Sequence, residues 1–455
     1  MVKKYSTKFW IVFWLTAILF LVGWFFFWQI KNRNFQMVED AIDFLPVGAE
    51  SKAEWKALSV FGKYALQKDD KTKTFLLLFQ NNMEIRPGGG YIGSFGILKT
   101  KNGQMVDLQT HDLSNFDGRV PDGIPVPYPM WETLRVKDWK MRDSNWSADF
   151  AVNAQKAEEF YYLGKGEEKF DGVVGITSNV LISFLRATGP VKVEEYPGEF
   201  ADENAVLALE FQVEQAFIDQ GLKFGDRKLI MNKLAKAIVE KVMTLSNAQK
   251  LELAKIVLED LKRKDIQLYF HDSLLQDEAV KAGWSGTVDQ NWNKDYLNIS
   301  DANLGAYKSD YYVKRSFDYS VDLSKEIPEA VLKITYNHTA KQKDWMTKDY
   351  VDFVRIYAPQ GAYLTNEKDF GKVIFGNDFG KKSFGTLLFV PLNMSKTFEF
   401  RYTLPKELNE NYDLKIQKQA GINDVPVEVH VTEKDGSQKD FEFVLSSDIT
   451  LSKAN

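Results

Sequence analysis

The sequence predicts a layered α/β domain followed by a β-sandwich, the two preceded by one transmembrane helix. Three observations carry this expectation. Residues 9–28 form a run of 20 residues without a charge. Between about residues 74 and 282, short apolar strands alternate with amphipathic helices, the pattern of a mixed sheet covered by helices. From about Tyr311 onward the hydrophobic period becomes two, as in a sandwich. The divisions that follow are 1–33 for a cytoplasmic head and anchor, 34–70 for a helical neck, 71–305 for the α/β domain and 306–455 for the sandwich.

The amino-terminal run spans roughly 30 Å at about 1.5 Å per residue, the thickness of a bilayer core. Thirteen of its twenty residues are Phe, Ile, Val or Leu. At about −0.3 to −0.6 kcal/mol each, they favour insertion by roughly 4 to 8 kcal/mol. Trp10 and Trp14 lie toward one end and Trp24 and Trp28 toward the other, as interfacial belts would place them. A cleaved signal peptide would have a shorter apolar core followed by small residues. Here the run ends in Phe25, Phe26, Phe27 and Trp28, so the expectation is an uncleaved anchor. Lys3, Lys4 and Lys8 precede it and Lys31 and Arg33 follow, a slight bias toward a cytoplasmic amino terminus with the body outside.

The body is acidic. The chain has 455 residues, 58 Lys+Arg against 63 Asp+Glu, and no cysteine. Five of the basic residues and no acid lie in 1–33, which leaves a formal charge of −10 on the rest. That excludes non-specific nucleic-acid binding, which needs a basic footprint. The lack of cysteine removes thiol catalysis, disulfides and Cys-type zinc sites.

Behind the anchor, Phe35, Val38, Ala41, Ile42 and Leu45 share a helical face that Pro46 ends. Ser51-Lys52-Ala53-Glu54 reads as a capping box opening a second neck helix, with Trp55, Leu58, Phe61 and Ala65 on one side. Strands are expected over 74–80 and 91–100, with Lys101-Asn102-Gly103-Gln104 as the hairpin turn into 105–109. A helix over 150–162 and an apolar strand over 172–177 follow. Ser178 then caps a helix with Val180, Leu181, Phe184 and Leu185 inward, stopped by Gly189-Pro190. Helices are expected over 202–220, 227–244 and 247–263, the last opened by a capping box at Ser246-Asn247-Ala248-Gln249. A strand over 266–270 and a helix near 273–282 close the α/β part. Period-two strands then fall near 317–323, 331–337, 351–357, 386–390, 398–402, 412–417, 427–431 and 441–445.

The most unusual stretch is 80–94, with Arg86-Pro87-Gly88-Gly89-Gly90-Tyr91-Ile92-Gly93 at its centre. Gly88, Gly90 and Gly93 fit G-x-G-x-x-G, but a dinucleotide fingerprint needs a helix next, and a strand follows here. What remains is a polar glycine-rich loop carrying Arg86. Its amides and guanidinium suit an anion; equally, the loop can tuck under a neighbour with Arg86 paired to an acid. Residues 141–150, with Arg142 and Asn145, precede a helix whose first amides favour anions, unless Ser147 or Asp149 caps them. Asp226-Arg227-Lys228 opens another helix. His111-Asp112 follows a strand and reads either as an acid–base or metal pair or as a structural histidine, and His271-Asp272 likewise. Neither G-x-S-x-G nor G-x-x-x-x-G-K-[ST] occurs.

Phe75-Leu76-Leu77-Leu78-Phe79-Gln80-Asn81-Asn82-Met83-Glu84-Ile85-Arg86-Pro87-Gly88-Gly89 resembles the opening motif of the bacterial domain-of-unknown-function family 4012. Arg142-Asp143-Ser144-Asn145-Trp146-Ser147-Ala148-Asp149-Phe150 is similar to its second motif. Phe170-Asp171-Gly172-Val173-Val174, Ala187-Thr188-Gly189-Pro190-Val191, Asn337-His338-Thr339-Ala340 and Tyr402-Thr403-Leu404-Pro405 also fit, so the resemblance covers nearly the whole chain beyond the apolar run.

The α/β part also resembles, more weakly, the LytR-CpsA-Psr cell-envelope proteins, membrane-anchored enzymes that transfer glycopolymers from polyprenyl pyrophosphate carriers to the cell wall. The shared plan places Arg86, His111-Asp112, Asn145, Gly189-Pro190-Val191 and Asp226-Arg227 at that family's landmarks. Gln80-Asn81 stands where its first strand ends in Gly and Asp, and His111 where it has Arg.

This resemblance implies a LytR-CpsA-Psr-like α/β fold. It also implies recognition, and if the protein is catalytic phosphotransferase-type transfer, of a phosphate-linked glycopolymer or its polyprenyl pyrophosphate carrier. Arg86, Arg142 and Arg227 would neutralise phosphate in one shared cleft, with Asn81, His111 and Asn145 beside them. Asp112 would hold a divalent cation such as Mg. The other reading is a non-enzymatic envelope scaffold, or a glycan- or protein-binding module, whose α/β domain has lost its chemistry.

The anchor is directly testable. The full-length protein should stay in the membrane fraction, begin at Met1 or Val2, and lose its body to protease added outside spheroplasts. An amino terminus near residue 30 or complete protection would contradict the expected topology.

Overall fold

Strand β1 (Thr72–Asn81) is the spine of the first layer, with β2 antiparallel on one side and β4 parallel on the other. The computed structural model describes residues 42–43, 47–194, 196–217, 221, 227–410 and 412–452. The expected span, nearly all of the first neck helix, and Asp226 lie outside them. Among the described residues no helix is long and apolar enough to cross a membrane.

The first sheet runs β3-β2-β1-β4-β5, with β2 (Tyr91–Lys101), β3 (Gln104–Asp112), β4 (Gly172–Thr177) and β5 (Ile266–Phe270). Asn102 and Gly103 turn the β2–β3 hairpin with φ of 54° and 80°, the left-handed pair a tight hairpin requires. Between Phe79 and Gln80 the register slips: Phe79 faces Ser94 while Gln80 faces Ile92, so Gly93 is an extra residue bulged out of β2. The bulge turns the end of β2 and frees the Gly93 carbonyl for a side-chain partner.

The neck helix α1 (Ala49–Leu66) has its cap at Gly48, three residues ahead of the expected cap Ser51, with no side-chain cap hydrogen bond. Its packed face is Ala57, Leu58 and Phe61; Phe61 stacks on Phe270 at 5.3 Å and lies 5.8 Å from Trp284, whereas Trp55 points outward. Helix α2 (Phe150–Leu163), capped by Asp149, covers the sheet with Phe150, Ala154 and Phe160 against Leu76, Leu78, Phe95 and Val173. Helices α3 (Ser178–Thr188), α4 (Ala205–Phe211) and α5 (Leu229–Met243) share a second cluster around Leu185, Val213, Ile230 and Leu234. Thr177, not Ser178, is the cap residue of α3. α4 runs into a π-helical turn at Gln212–Ala216, inside what the sequence reads as one helix. α6 (Asn247–Lys262) carries the full Ser246–Gln249 capping box, and α7 (Ser273–Lys281) is capped by Asp272.

The carboxyl-terminal region is two six-stranded sheets. One runs β10-β13-β8-β7-β15-β16, with β7 (Val313–Asp322), β8 (Glu329–His338), β10 (Tyr363–Leu364), β13 (Ser395–Thr403), β15 (Val425–Thr432) and β16 (Gln438–Leu445). The other runs β11-β12-β9-β6-β14-β17, with β6 (Asp295–Ser300), β9 (Tyr350–Pro359), β11 (Val373–Asp378), β12 (Lys381–Val390), β14 (Asp413–Gln417) and β17 (Ile449–Ser452).

Strand β6 corrects the expected boundary at 305/306: it lies on the α/β side of that line in sequence and in the middle of a sandwich sheet in space. Its pattern hid it, because Asp295 and Asn298 are polar yet buried. The Asp295 carboxylate accepts from the Tyr319 and Tyr412 hydroxyls at 2.8 Å each, and Asn298 donates to the Gln417 carbonyl at 2.9 Å. Burial pushes the Asp295 carboxyl up to about 6.

Tyr296, Leu297 and Ile299 are buried in β6. At about 1.5 to 3 kcal/mol per buried apolar side chain, losing them removes roughly 5 to 9 kcal/mol. A fragment 311–452 should therefore melt without a cooperative transition, and a fragment 287–452 should unfold more sharply in urea. Equal cooperativity of the two would show β6 to be dispensable.

Candidate functional site

The glycine-rich loop after β1 is built as a clasp. Arg86 is 1% exposed. Its Nη1 donates to the carbonyls of Ile85 (3.1 Å) and Asn303 (2.6 Å), its Nη2 to Glu84 Oε1 (2.8 Å), and its Nε lies 3.5 Å from Asp143 Oδ1. Of the two arrangements open to Arg86, the structure has the acid-paired one. Ile85 enters the sandwich core, its N–H donating to Asp310 Oδ2 at 3.1 Å, and Gln419 Nε2 donates to the Arg86 carbonyl at 3.1 Å. A Cβ at Gly421 would lie 2.0 Å from the Gly89 oxygen, and one at Gly90 (φ 148°) 2.4 Å from the Asn81 oxygen. The glycines admit neighbouring backbone, not an anion.

Asn145, fully buried, holds the loop from the other side. Its Nδ2 donates to Gln80 Oε1 (2.7 Å) and the Gly90 carbonyl (2.5 Å), and its own carbonyl accepts from Gly88 N (3.1 Å). The Asn-x-Ser triplets at 145 and 298 both start at buried residues.

The other expected residues surround the ends of β1, β2 and β3. Arg142 Nε bonds Asp117 Oδ2 at 2.6 Å, and Arg227 Nη1 bonds Glu214 Oε2 at 3.0 Å. Lys308 Nζ lies 3.3 Å from Glu210 Oε2 and 3.6 Å from Glu214 Oε1, and Asn81 Nδ2 donates to Glu210 Oε1 at 2.9 Å. Lys308 also acts on Glu84. Charges of alternating sign thus lead from Arg227 through Glu214, Lys308 and Glu84 to Arg86 and Asp143, and Asp143 interacts in turn with Arg142 and Asp117. Burial raises the carboxyls of Glu84 and Glu210 against the pull of their cations.

The three arginines thus stand in one charged neighbourhood, each on its own carboxylate, and they do not line a cleft together, because the Arg86 guanidinium is enclosed. His111 also stands apart. It stacks on Phe95 at 4.8 Å, on the sheet face opposite to Asp112, as neighbours along a strand must be. Burial first, and Arg119 second, push its imidazole below the usual range.

Asp112 is where a divalent cation was expected. Its Oδ1 accepts from Ser114 N (2.9 Å), capping the helical turn Leu113–Phe116, and from Lys228 Nζ (2.7 Å), which also donates to the bulged Gly93 carbonyl at 2.6 Å. Burial opposes the charge on Asp112, but the Lys228 and Ser114 contacts together outweigh it and hold the carboxyl below its ordinary value. Among the described residues, no three potential ligands gather to hold a metal. These residues do not fit a divalent cation: an ammonium stands beside the carboxylate instead. Asp112 Oδ2 and, across the strand pair, Ser94 Oγ are buried without hydrogen-bond partners among the described residues.

Lys228, Lys308, Glu210 and Glu214 were not singled out by the sequence. Only Asp226-Arg227-Lys228 gave a signal, as a helix start, and α5 does begin beside Lys228 with no side-chain cap.

Residues 70–213 match the model of a family described as protein of unknown function DUF4012. The match takes in Asn81, Arg86, His111, Asp112, Arg142, Asn145 and Glu210, and ends short of Glu214, Arg227, Lys228 and Lys308. It is shorter than the resemblance read from the sequence. No curated protein matches significantly. Similar solved structures include the Lin1025 protein of Listeria innocua, at 14% identity over 48% of this chain and 78% of that one, TM-score 0.28. TagV of Bacillus subtilis aligns at 13% identity over 52% and 89%, TM-score 0.28. The Bacillus subtilis protein yvhJ, described as a transcriptional regulator, aligns at 12% identity over 52% and 87%, TM-score 0.25.

Removing one partner of a buried pair leaves uncompensated charge. Arg86→Ala, which strands Glu84 and Asp143, should lose about 3 to 5 kcal/mol in urea unfolding. Arg227→Ala, whose partner Glu214 is partly exposed, should lose about 1 kcal/mol or less. A neutral Arg86→Ala would mean that the clasp does not hold the domains.

Proposed function

We propose that the chain is a membrane-anchored cell-envelope protein whose α/β domain recognises a phosphate-linked glycopolymer at the cluster of Arg142, Arg227, Lys228 and Lys308, and does so without a metal ion. The observation that carries this reading is the convergence of cations from separate segments: Arg227 and Lys308 share Glu214, and Lys228 beside Arg227 holds Asp112 and the Gly93 carbonyl at the start of α5, while Arg142 stands on Asp117 past the end of β3. A helix start adds its own positive potential and unsatisfied amides to such a place. The sequence resemblance to envelope glycopolymer proteins points to the same class of ligand.

Transfer chemistry is less well supported than recognition. Arg86, Arg142, Arg227, Lys228 and Lys308 face Glu84, Asp112, Asp117, Asp143, Glu210 and Glu214, so each cation already has a carboxylate within 4 Å. A centre that stabilises charge developing on a transferring phosphoryl group needs an excess of positive charge. Among the described residues this cluster has none, which favours the non-enzymatic glycan-binding reading. A bound phosphate would compete with Glu214, the partly exposed partner of Arg227.

Isothermal titration of the full-length protein in detergent with inorganic pyrophosphate and geranyl pyrophosphate tests this. Binding should survive EDTA, and Arg227→Ala should weaken it about 10- to 150-fold, the loss of one charge-assisted hydrogen bond of about 1.5 to 3 kcal/mol. No binding, or binding that requires Mg, would overturn the proposal.

A further inference from the structure

Beside the charged cluster, two aromatic rings from distant parts of the chain meet at the surface. Phe211 ends α4 and is 47% exposed; Trp345 stands in the loop between β8 and β9 and is 36% exposed. Their centroids are 6.3 Å apart with the planes 66° from parallel, so the rings form an edge-to-face corner.

The backbone around them is fixed. Lys308 N donates to the Met346 carbonyl at 2.7 Å, which ties the Trp345 loop to the residue that holds Glu210 and Glu214. Asp344 Oδ1 accepts from Met346 N (2.8 Å) and Thr347 N (2.9 Å), and buried Thr347 donates to Ser309 Oγ at 3.0 Å. On the other side, Phe211 leads directly into the π-helical turn Gln212–Ala216, a rare irregularity frequent at functional sites.

We propose that Trp345 and Phe211 form a sugar-binding subsite, a stacking corner for a hexose or hexosamine ring next to the anion-binding cluster. A pyranose presents an apolar face of C–H groups and a rim of hydroxyls. The corner supplies ring surface for the face, and Glu210 and Asp344, which precede the two rings in sequence, with Lys308, whose backbone ties down the Trp345 loop, are polar groups of the kind that accept from and donate to hydroxyls. Two rings are too small an apolar area for a stable protein interface, and the mixed charges of these groups do not suit an anionic lipid surface. The inference deepens the glycopolymer reading and rests on it, naming the part of the site that takes carbohydrate rather than phosphate.

The test is calorimetric titration of the full-length protein in detergent with three probes: the tetramer of N-acetylglucosamine, a glucose tetramer, and inorganic pyrophosphate. At least one tetramer should bind. Trp345→Ala and Phe211→Ala should each weaken it by about tenfold or more, and Trp345→Phe by less, with unchanged melting temperature. Pyrophosphate affinity should move less than about twofold in these variants, whereas Arg227→Ala should weaken pyrophosphate and spare the tetramer. Ring-dependent tetramer binding without any pyrophosphate binding would sustain the sugar subsite and remove the anion site. No tetramer binding by the wild type up to about 10 mM, or Trp345→Ala binding as tightly as wild type, would overturn the subsite.

Discussion

A guanidinium with 1% exposure must have its charge balanced and its N–H groups matched, or the fold cannot hold it. Arg86 meets that condition only where the two halves of the molecule touch. Glu84 and Asp143 come from the α/β side, and the Asn303 carbonyl comes from the segment joining β6 to β7 within the sandwich. Asp310 extends the same seam. Its Oδ2 takes Ile85 N and Asn303 Nδ2, and its Oδ1 takes Arg315 (2.5 Å) and the Tyr350 hydroxyl (2.9 Å). Arg315 also pairs with Asp301 at 2.6 Å. Burial first, and the neighbouring Asp301 second, push the Asp352 carboxyl far up in this polar core.

The candidate site inherits its geometry from that seam. Lys308 stands two residues before Asp310, so the contact that seats Asp310 on the clasp also carries an ammonium to Glu210 and Glu214. The Trp345 loop is pinned through Lys308 and Ser309. Neither the charged cluster nor the aromatic corner is complete on one domain. The glycine-rich loop, the most conspicuous motif of the sequence, contributes by fixing the domains together.

What was legible in the sequence followed local rules. The Ser246–Gln249 box, the Asn102-Gly103 turn and the strand Gly172–Thr177 each depend on residues within a few positions, and each is where the pattern places it. What was not legible depended on distant partners. β6 hides because its polar residues are satisfied by tyrosines and a glutamine far along the chain. The meaning of Asp112 turns on Lys228, 116 residues away, and on a bulge at Gly93, where a glycine inside the strand pattern hints at a bulge but not at its partner. For Arg86 the sequence supplied Glu84 two positions off, but not the burial that makes the pair obligatory. The neck helix was recognised and its face read correctly at Leu58 and Phe61 but not at Trp55, which offers the larger apolar side chain yet points outward while Ala57 packs inward.

The order of strands in the sandwich has a consequence for how the molecule is made. β14 pairs in parallel with β6, and β15 pairs in parallel with β7, so late segments complete both sheets beside the earliest ones. Until residues 413–432 emerge, β6 and β7 each wait with one side of the backbone unpaired, and such edges recruit other strands. A chain cut short ahead of β14 would carry two unfinished sheets and be prone to stick to its own kind. Vectorial synthesis, or threading through a membrane pore, therefore delays closure of the sandwich until nearly the whole polypeptide has passed, which makes folding itself a check on completeness.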